Sequence, residues 1–200
     1  MAKSVGSLAP GLLLASPPLG DPNFDRTVVL LAVHGEGGAL GFVVNRPAPV
    51  TLGEVLSYAG YGDASAGDRS LVYMGGPVQP TSGWILSVDP STSADDGGVL
   101  AVGDRIRVTS SRGAFDALAR DVAARRSGAP DVTRRVVILG YSGWGPGQLE
   151  SEIAAGAWLP APLDEGVVFD VALQERWERA YRLLGLTLAG TMSMRSVGEA

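Results

Sequence analysis

Val136-Val137-Ile138-Leu139-Gly140-Tyr141-Ser142-Gly143-Trp144-Gly145-Pro146-Gly147-Gln148-Leu149-Glu150-Ser151-Glu152-Ile153 runs from an aliphatic block into glycines and aromatics, then into an acidic stretch. It reads as a buried central strand over 135–139, a loop, and a short helix over 148–155. Four glycines among the eight residues 140–147 imply tight turns or close approach of backbones. Tyr141 and Trp144 need a wall or a ligand to pack on. Either the glycines let these rings fold back on the core, or they open the loop to a ligand.

A strand, a glycine-rich loop and a helix can cradle a phosphate. No Gly-Lys-Ser/Thr is present, however, and Glu150 and Glu152 at the helix start would repel a phosphate placed there. The dinucleotide pattern also fails, because Glu150 stands where the third glycine is needed.

Outward from this segment, Gly11 to Ala15 reads as a first short strand. Thr27 to Val33 is apolar on both faces and reads as a central strand. Gly35-Glu36-Gly37-Gly38 turns it into a second apolar run, Ala39 to Val44, and predicts a hairpin. Thr51 and Glu54 have capping-box spacing, with Val50 and Val55 placed for a hydrophobic staple, so a helix is predicted over 51–59. Further strands are predicted at 71–74, 83–88, 99–102 and 106–109. A helix over 112–127 carries Phe115, Leu118 and Val122 on one face. The last helix carries Leu173, Trp177, Ala180, Tyr181 and Leu184 on one face, and Gly185 closes it. Strands in runs, with helices interspersed irregularly, point to α+β rather than to regular βαβ alternation.

Two hundred residues suit a single domain with a substantial core. Residues 1–9 read as a disordered, frayed N-terminus, 10–186 as the domain, and 187–200 as a weakly patterned tail. No apolar run approaches the roughly 18 residues needed to cross a bilayer, so a cytoplasmic protein without membrane contact is expected. The absence of cysteine excludes disulfides, thiolate metal sites and cysteine nucleophiles. A net charge of −5 gives no global attraction for nucleic acid. The one basic concentration is the arginines at 120, 125, 126, 134 and 135, where a solvated helix face is the usual explanation. Nucleic acid is therefore disfavoured as a partner.

His34 is the only histidine, so zinc would have to combine it with carboxylates alone, an uncommon set. Neither metal nor cofactor is expected. Asp21-Pro22-Asn23-Phe24-Asp25 opens like a calcium loop, but Arg26 and Ala32 occupy positions that need glycine and glutamate. Asp21 or Asp25 is expected to hold backbone amides there, with Arg26 paired to either carboxylate. Asn45-Arg46-Pro47 ends a buried strand, where the guanidinium can order carbonyls or bind an anion.

Taken in order, Gly11 to Pro17, Asp21 to Val29, His34, Gly41 to Pro47, Gly75-Gly76-Pro77-Val78, Leu139 to Glu152, Trp158-Leu159, Phe169-Asp170, Trp177 and Leu184-Gly185 resemble the YqgE/AlgH family of bacterial proteins. The resemblance covers roughly 10–186. It implies a compact cytosolic α+β domain with bent, bifurcated, mostly antiparallel sheets. Members have been labelled transcriptional regulators, although the family carries no established DNA-binding motif or catalytic activity. Many members have a cysteine just before the histidine, where this chain has Leu31, Ala32 and Val33. On the same blocks Asp21, Arg26, Gly75, Gly76, Gly140, Gly143, Gly147 and Glu150 are structural motif residues.

The leading expectation is a non-enzymatic binding or regulatory module for an unidentified protein or small molecule. Its candidate ligand-binding residues are His34, Asn45, Arg46, Tyr141, Trp144 and Gln148, chosen because function concentrates at strand ends and loops. The alternatives are an enzyme using His34 with Glu150 or Glu152 and Arg46 on an anionic substrate, and a DNA-associated regulator using the 120–135 arginines.

Overall fold

The computed structural model describes residues 6–17, 24–62, 67–88, 98–126 and 134–186. Ten strands form one curled sheet: β1 (Gly11–Ala15), β2 (Val28–Gly35), β3 (Gly38–Val43), β4 (Pro47–Thr51), β5 (Leu71–Met74), β6 (Val78–Ser87), β7 (Val99–Val102), β8 (Ile106–Thr109), β9 (Arg135–Trp144) and β10 (Trp158–Pro162). Among the described residues five α-helices accompany them: α1 (Leu52–Leu56), α2 (Arg112–Arg126), α3 (Gln148–Ala154), α4 (Glu165–Phe169) and α5 (Arg176–Leu183). The α+β class expected from the sequence is observed. No helix among the described residues is long and apolar enough to cross a membrane.

The sheet order is β10-β1-β2-β3-β9-β6-β8-β7, and β5 lies between β4 and β9. Every pairing is antiparallel except β5 with β9. The strand β9 belongs to two halves of the sheet. Its residues Val137–Leu139 pair with β5 on one side and β6 on the other, whereas Ser142–Trp144 pair with β3. Gly140, at φ +70°, sits where the partners change. A side chain there would meet the carbonyl oxygens of Gly76 at 2.7 Å and Val78 at 2.9 Å. The reading of 140–144 as loop is corrected: this stretch is the second half of a ten-residue strand. The ladder to β3 outweighs the low strand preference of its glycines.

Alternation along the strands separates the two faces of the sheet. One face buries Leu12, Leu30, Phe42, Leu86 and Ile138 against Val167 and Val168 of α4 and Trp177, Ala180 and Tyr181 of α5. The other face carries two clusters. Leu13, Val29, Leu31, Trp144 and Trp158 lie under Leu149 of α3. Val72, Ile85 and Val137 lie under α1 and α2.

The predicted apolar stripe of the last helix is the face that docks. The Trp177 indole and the Tyr181 hydroxyl both donate to the Ala15 carbonyl, at 3.1 and 3.0 Å. Burial pushes the Tyr181 hydroxyl up to about 12, above the ordinary value near 10. A raised folded value means that its stabilisation is complete below about pH 10 and is lost as the pH rises through about 12. A displacement of this size corresponds to about 3 kcal/mol. Urea unfolding at pH 9 and 11.5 is expected to show a fall in wild-type stability of about 2 kcal/mol that Tyr181→Phe lacks. An equal fall in both proteins would remove Tyr181 as its source.

The helix-start chemistry predicted at Thr51 is present in full. Its hydroxyl accepts the Glu54 N–H, and the Glu54 carboxylate accepts the Thr51 N–H at 2.7 Å. The Thr51 N–H and the Thr51 hydroxyl, both donating to it, hold the Glu54 carboxyl below its ordinary value. The helix is shorter than predicted, because after Leu56 the chain widens into a single π-helical turn, Ser57–Tyr61. Gly60, at φ +93°, breaks that turn, and the Tyr61 hydroxyl donates to Asp116 of α2. Two further elements differ from expectation. The hairpin pairs Gly35 with Gly38, so its turn has two residues rather than four. Pro47 does not end the sheet but opens β4, an edge strand where a proline is tolerated.

Candidate functional site

His34 stands at the far end of β2, opposite Ala39, which in turn pairs with Trp144 of β9. This places His34 beside α3, where its Nε2 lies 3.1 Å from Glu150 Oε1. The Leu8 backbone N–H donates to His34 Nδ1 at 3.1 Å. An amide can only donate, so Nδ1 is the acceptor, and the ring proton is on Nε2, directed at Glu150. The imidazole is 3% exposed. Both ring nitrogens are therefore engaged, and neither is presented to a substrate. Ser7 and Leu8, expected to fray, are held at this point: the Ser7 hydroxyl donates to the His34 carbonyl at 3.1 Å. Residues 1–5 lie outside the described residues.

Next to this pair, Glu152 is surrounded by donors. The indole N–H groups of Trp144 and Trp158 reach its Oε2 at 2.9 and 2.8 Å, and the Gln148 amide reaches Oε1 at 2.8 Å. The two indoles meet edge to face, with centroids 5.8 Å apart. Trp144 is 7% exposed and Trp158 2%. Gln148 also accepts the Gly145 N–H at 3.0 Å, closing the turn into α3 in which Gly147 is the N-terminal cap. A carboxylate that satisfies two buried indoles is a packing device, because an orphaned buried donor would cost about 1–3 kcal/mol.

His34, Trp144, Gln148 and Glu150 thus converge, but the other candidates do not join them. Asn45 lies just past the opposite end of β3, six residues from Ala39, roughly 20 Å away at about 3.3 Å per residue. There Asn45 accepts the Val28 N–H and donates to the Arg26 carbonyl, each at 2.8 Å. Arg46 donates to the Asp25 carbonyl at 3.3 Å, which is the carbonyl-ordering role. Arg26 is not paired with Asp25 as expected. Its guanidinium lies over the Trp177 ring, 5.7 Å from the centroid. Asp21 lies outside the described residues. Tyr141 occupies the opposite face of β9 from Trp144 and packs edge-on to Trp84 at 6.2 Å. The enzyme grouping of His34 with Arg46 is therefore not assembled, and Glu152 is committed to the tryptophans.

Gly75 and Gly76 serve the point where β9 changes partners. A side chain on either would meet backbone of Gly140 or Tyr141 at 2.4 Å. The Gly75 carbonyl accepts both the Val43 N–H at 2.9 Å and the Ser142 hydroxyl at 3.0 Å. Gly143, by contrast, has its nearest neighbour, the Tyr141 ring, at 3.5 Å. The basic window is largely neutralised: Arg134 pairs with Asp170 at 2.6 Å, Arg135 with Asp121 at 2.5 Å and Arg125 with Asp68 at 3.8 Å.

The sequence reading missed an apolar cleft of about 480 Å³ on the outer face. It opens because β6 loses register with β9 between Val78 and Gly83. Gln79 adopts φ +46° there, so the strain of a left-handed non-glycine residue is concentrated at the bulge. Val50, Val55, Pro80, Thr81, Phe115 and Leu139 line the cleft, together with Tyr58 and Ala59 of the π-helical turn. Tyr58 on the rim is 88% exposed. Each lining residue reads separately as core or loop, so no spacing signalled the cleft.

With this geometry in place, the AlgH-like family model matches residues 12–189. The chain belongs to the AlgH-like family. Similar proteins include a UPF0301 protein of Anaeromyxobacter sp. strain K, 45% identical, with 92% of this chain and 91% of that one covered. Another, from Xanthomonas campestris pv. campestris strain B100, is 41% identical over 90% of this chain and 91% of its own. The solution structure of AlgH from Pseudomonas aeruginosa is similar at a TM-score of 0.72 and 32% identity, covering 94% of this chain and 95% of that one. A crystal structure of a Corynebacterium diphtheriae protein shares the fold at a TM-score of 0.65 and 21% identity, covering 96% and 93%. The family resemblance read from the ordered sequence blocks is thereby shown.

Proposed function

We propose that this AlgH-like chain is a non-catalytic binding module that takes a small apolar ligand in the cleft between the π-helical turn, α2 and the β6 bulge. One contrast carries the reading. The polar residues at the strand ends are spent on internal hydrogen bonds, whereas the cleft presents Val50, Val55, Phe115 and Leu139 to solvent. Its volume, about 480 Å³, falls in the range of small-molecule sites, about 300–1,000 Å³. The hydroxyls of Tyr58, Thr81 and Ser110 at its margin supply the few polar groups that orient a ligand. A cytosolic setting belongs to the same proposal.

The test is fluorescence titration with 1-anilinonaphthalene-8-sulfonate on the folded full chain. Saturable one-to-one binding is expected, weakened by about tenfold or more in Ala59→Arg, whose side chain would occupy the mouth of the cleft. Ala59 is exposed, so the thermal midpoint should be unchanged. Absence of saturable binding, or equal affinity in the variant, would reject the cleft.

A further inference from the structure

We propose that His34 is a proton-operated latch for the N-terminal segment Ser7–Ala9. The segment is joined to this one residue by the Leu8 N–H, which donates to Nδ1 at 3.1 Å, and by the Ser7 hydroxyl, whose single proton is shared between the His34 carbonyl at 3.1 Å and the Ala9 carbonyl at 3.0 Å. Leu8 and Ala9 pack on the cluster containing Trp144 and Trp158. The Leu8 bond exists only while Nδ1 keeps its lone pair. A proton added at Nδ1 sets two donors against each other and removes the bond.

Glu150 makes the charged state tolerable. It lies 3.1 Å from Nε2 on the side of the ring away from Leu8, and it is 37% exposed. The imidazolium therefore stays in place, paired with Glu150, while the segment lets go. Among the described residues no other ionisable group competes closely. Ala39 faces His34 from β3 and Trp144 lies beyond it on β9. Glu152 is turned into the indoles, Glu36 sits at the exposed hairpin tip, and residues 6–10 contain no titratable side chain. Acid thus releases the segment and uncovers part of the tryptophan cluster without undoing the sheet.

As the only histidine, His34 gives an unambiguous NMR signal. In the full chain, long-range ¹H–¹⁵N spectra at about pH 8 should show the Nε2–H tautomer. Amide exchange, corrected for its intrinsic pH dependence, should then show Leu8 protection falling about tenfold per pH unit below the ring's midpoint, with Leu30 unaffected. His34→Gln keeps an acceptor and a donor but cannot titrate, so its Leu8 protection should be independent of pH. An Nδ1–H tautomer at pH 8, a ring that stays neutral until the domain itself unfolds in acid, or Leu8 protection that is flat through the wild-type titration would each overturn the latch, whether or not the variant folds.

Discussion

Arg176→Ala is expected to lower the unfolding free energy by about 3–5 kcal/mol, read from urea unfolding with an unchanged denaturant slope. Arg176 opens α5 yet is only 3% exposed. Its guanidinium donates to the carbonyls of Val171, at 2.9 Å, and Val44, and reaches the Tyr73 hydroxyl at 3.4 Å. The Tyr73 ring lies beneath it, 5.2 Å from Cζ. No carboxylate forms an ion pair with it among the described residues. Burial pulls its pKa below the ordinary arginine value, which expresses the cost of holding this charge away from water. That cost is offset by acceptors pointing in three directions, a pattern that a planar fork satisfies and an ammonium does not. Arg176→Lys should therefore also destabilise, though less than alanine. Arg176→Met refills the volume but leaves two buried carbonyls without donors, so it should not break even. A loss below about 1 kcal/mol in Arg176→Ala would show that water replaces the guanidinium at little cost.

Gly140→Ala should be still more damaging, costing more than about 4 kcal/mol or preventing folding. A left-handed conformation alone costs an alanine about 1–2 kcal/mol. The added methyl would also meet Gly76 O at 2.7 Å, Val78 O at 2.9 Å and Pro80 Cα at 3.1 Å, all of them backbone atoms with no rotamer to escape into. Gly143→Ala is the internal control from the same segment. Its methyl would meet the Tyr141 ring at 3.5 Å and Val78 Cγ2 at 3.9 Å, ordinary side-chain contacts, and a change within about 1 kcal/mol is expected. Similar losses in the two variants would refute the account of Gly140 as the point where β9 changes partners.

Much of the fold was legible because its signals are local. The apolar run of β2, the Thr51–Glu54 capping pair and the Trp177–Ala180–Tyr181 face each lie within a few residues. The second half of β9 was not legible, because glycines that look like loop punctuation are tolerated when a neighbouring strand, here β3, supplies the ladder. Pro47 and Pro49 hid β4 in the same way, by suggesting an end where the chain becomes an edge. The candidate site was only half readable. Sequence order picked out His34, Trp144, Gln148 and Glu150, but the His34–Glu150 contact spans 116 positions, and no spacing rule predicts it. Arg176 gave no signal, since one charge among the charges of an amphipathic helix reads as solvated until the helix is docked. The cleft was invisible because four separate segments build it.

The docking of Tyr181 on Ala15, 166 positions apart, and the antiparallel pairing of β1 with β10 set the order in which the molecule can be completed. A ribosome delivers the strands β1, β2 and β3 early, and they can pair among themselves at once. Their outer edges belong to β9 and β10, which begin about 90 and 115 residues after β3 ends, a wait of about 5–25 s at roughly 5–20 residues per second. Throughout that interval Leu12, Leu13 and Leu14 line an open edge next to exposed apolar faces. The nascent chain thus carries this unpaired edge until its last quarter is made.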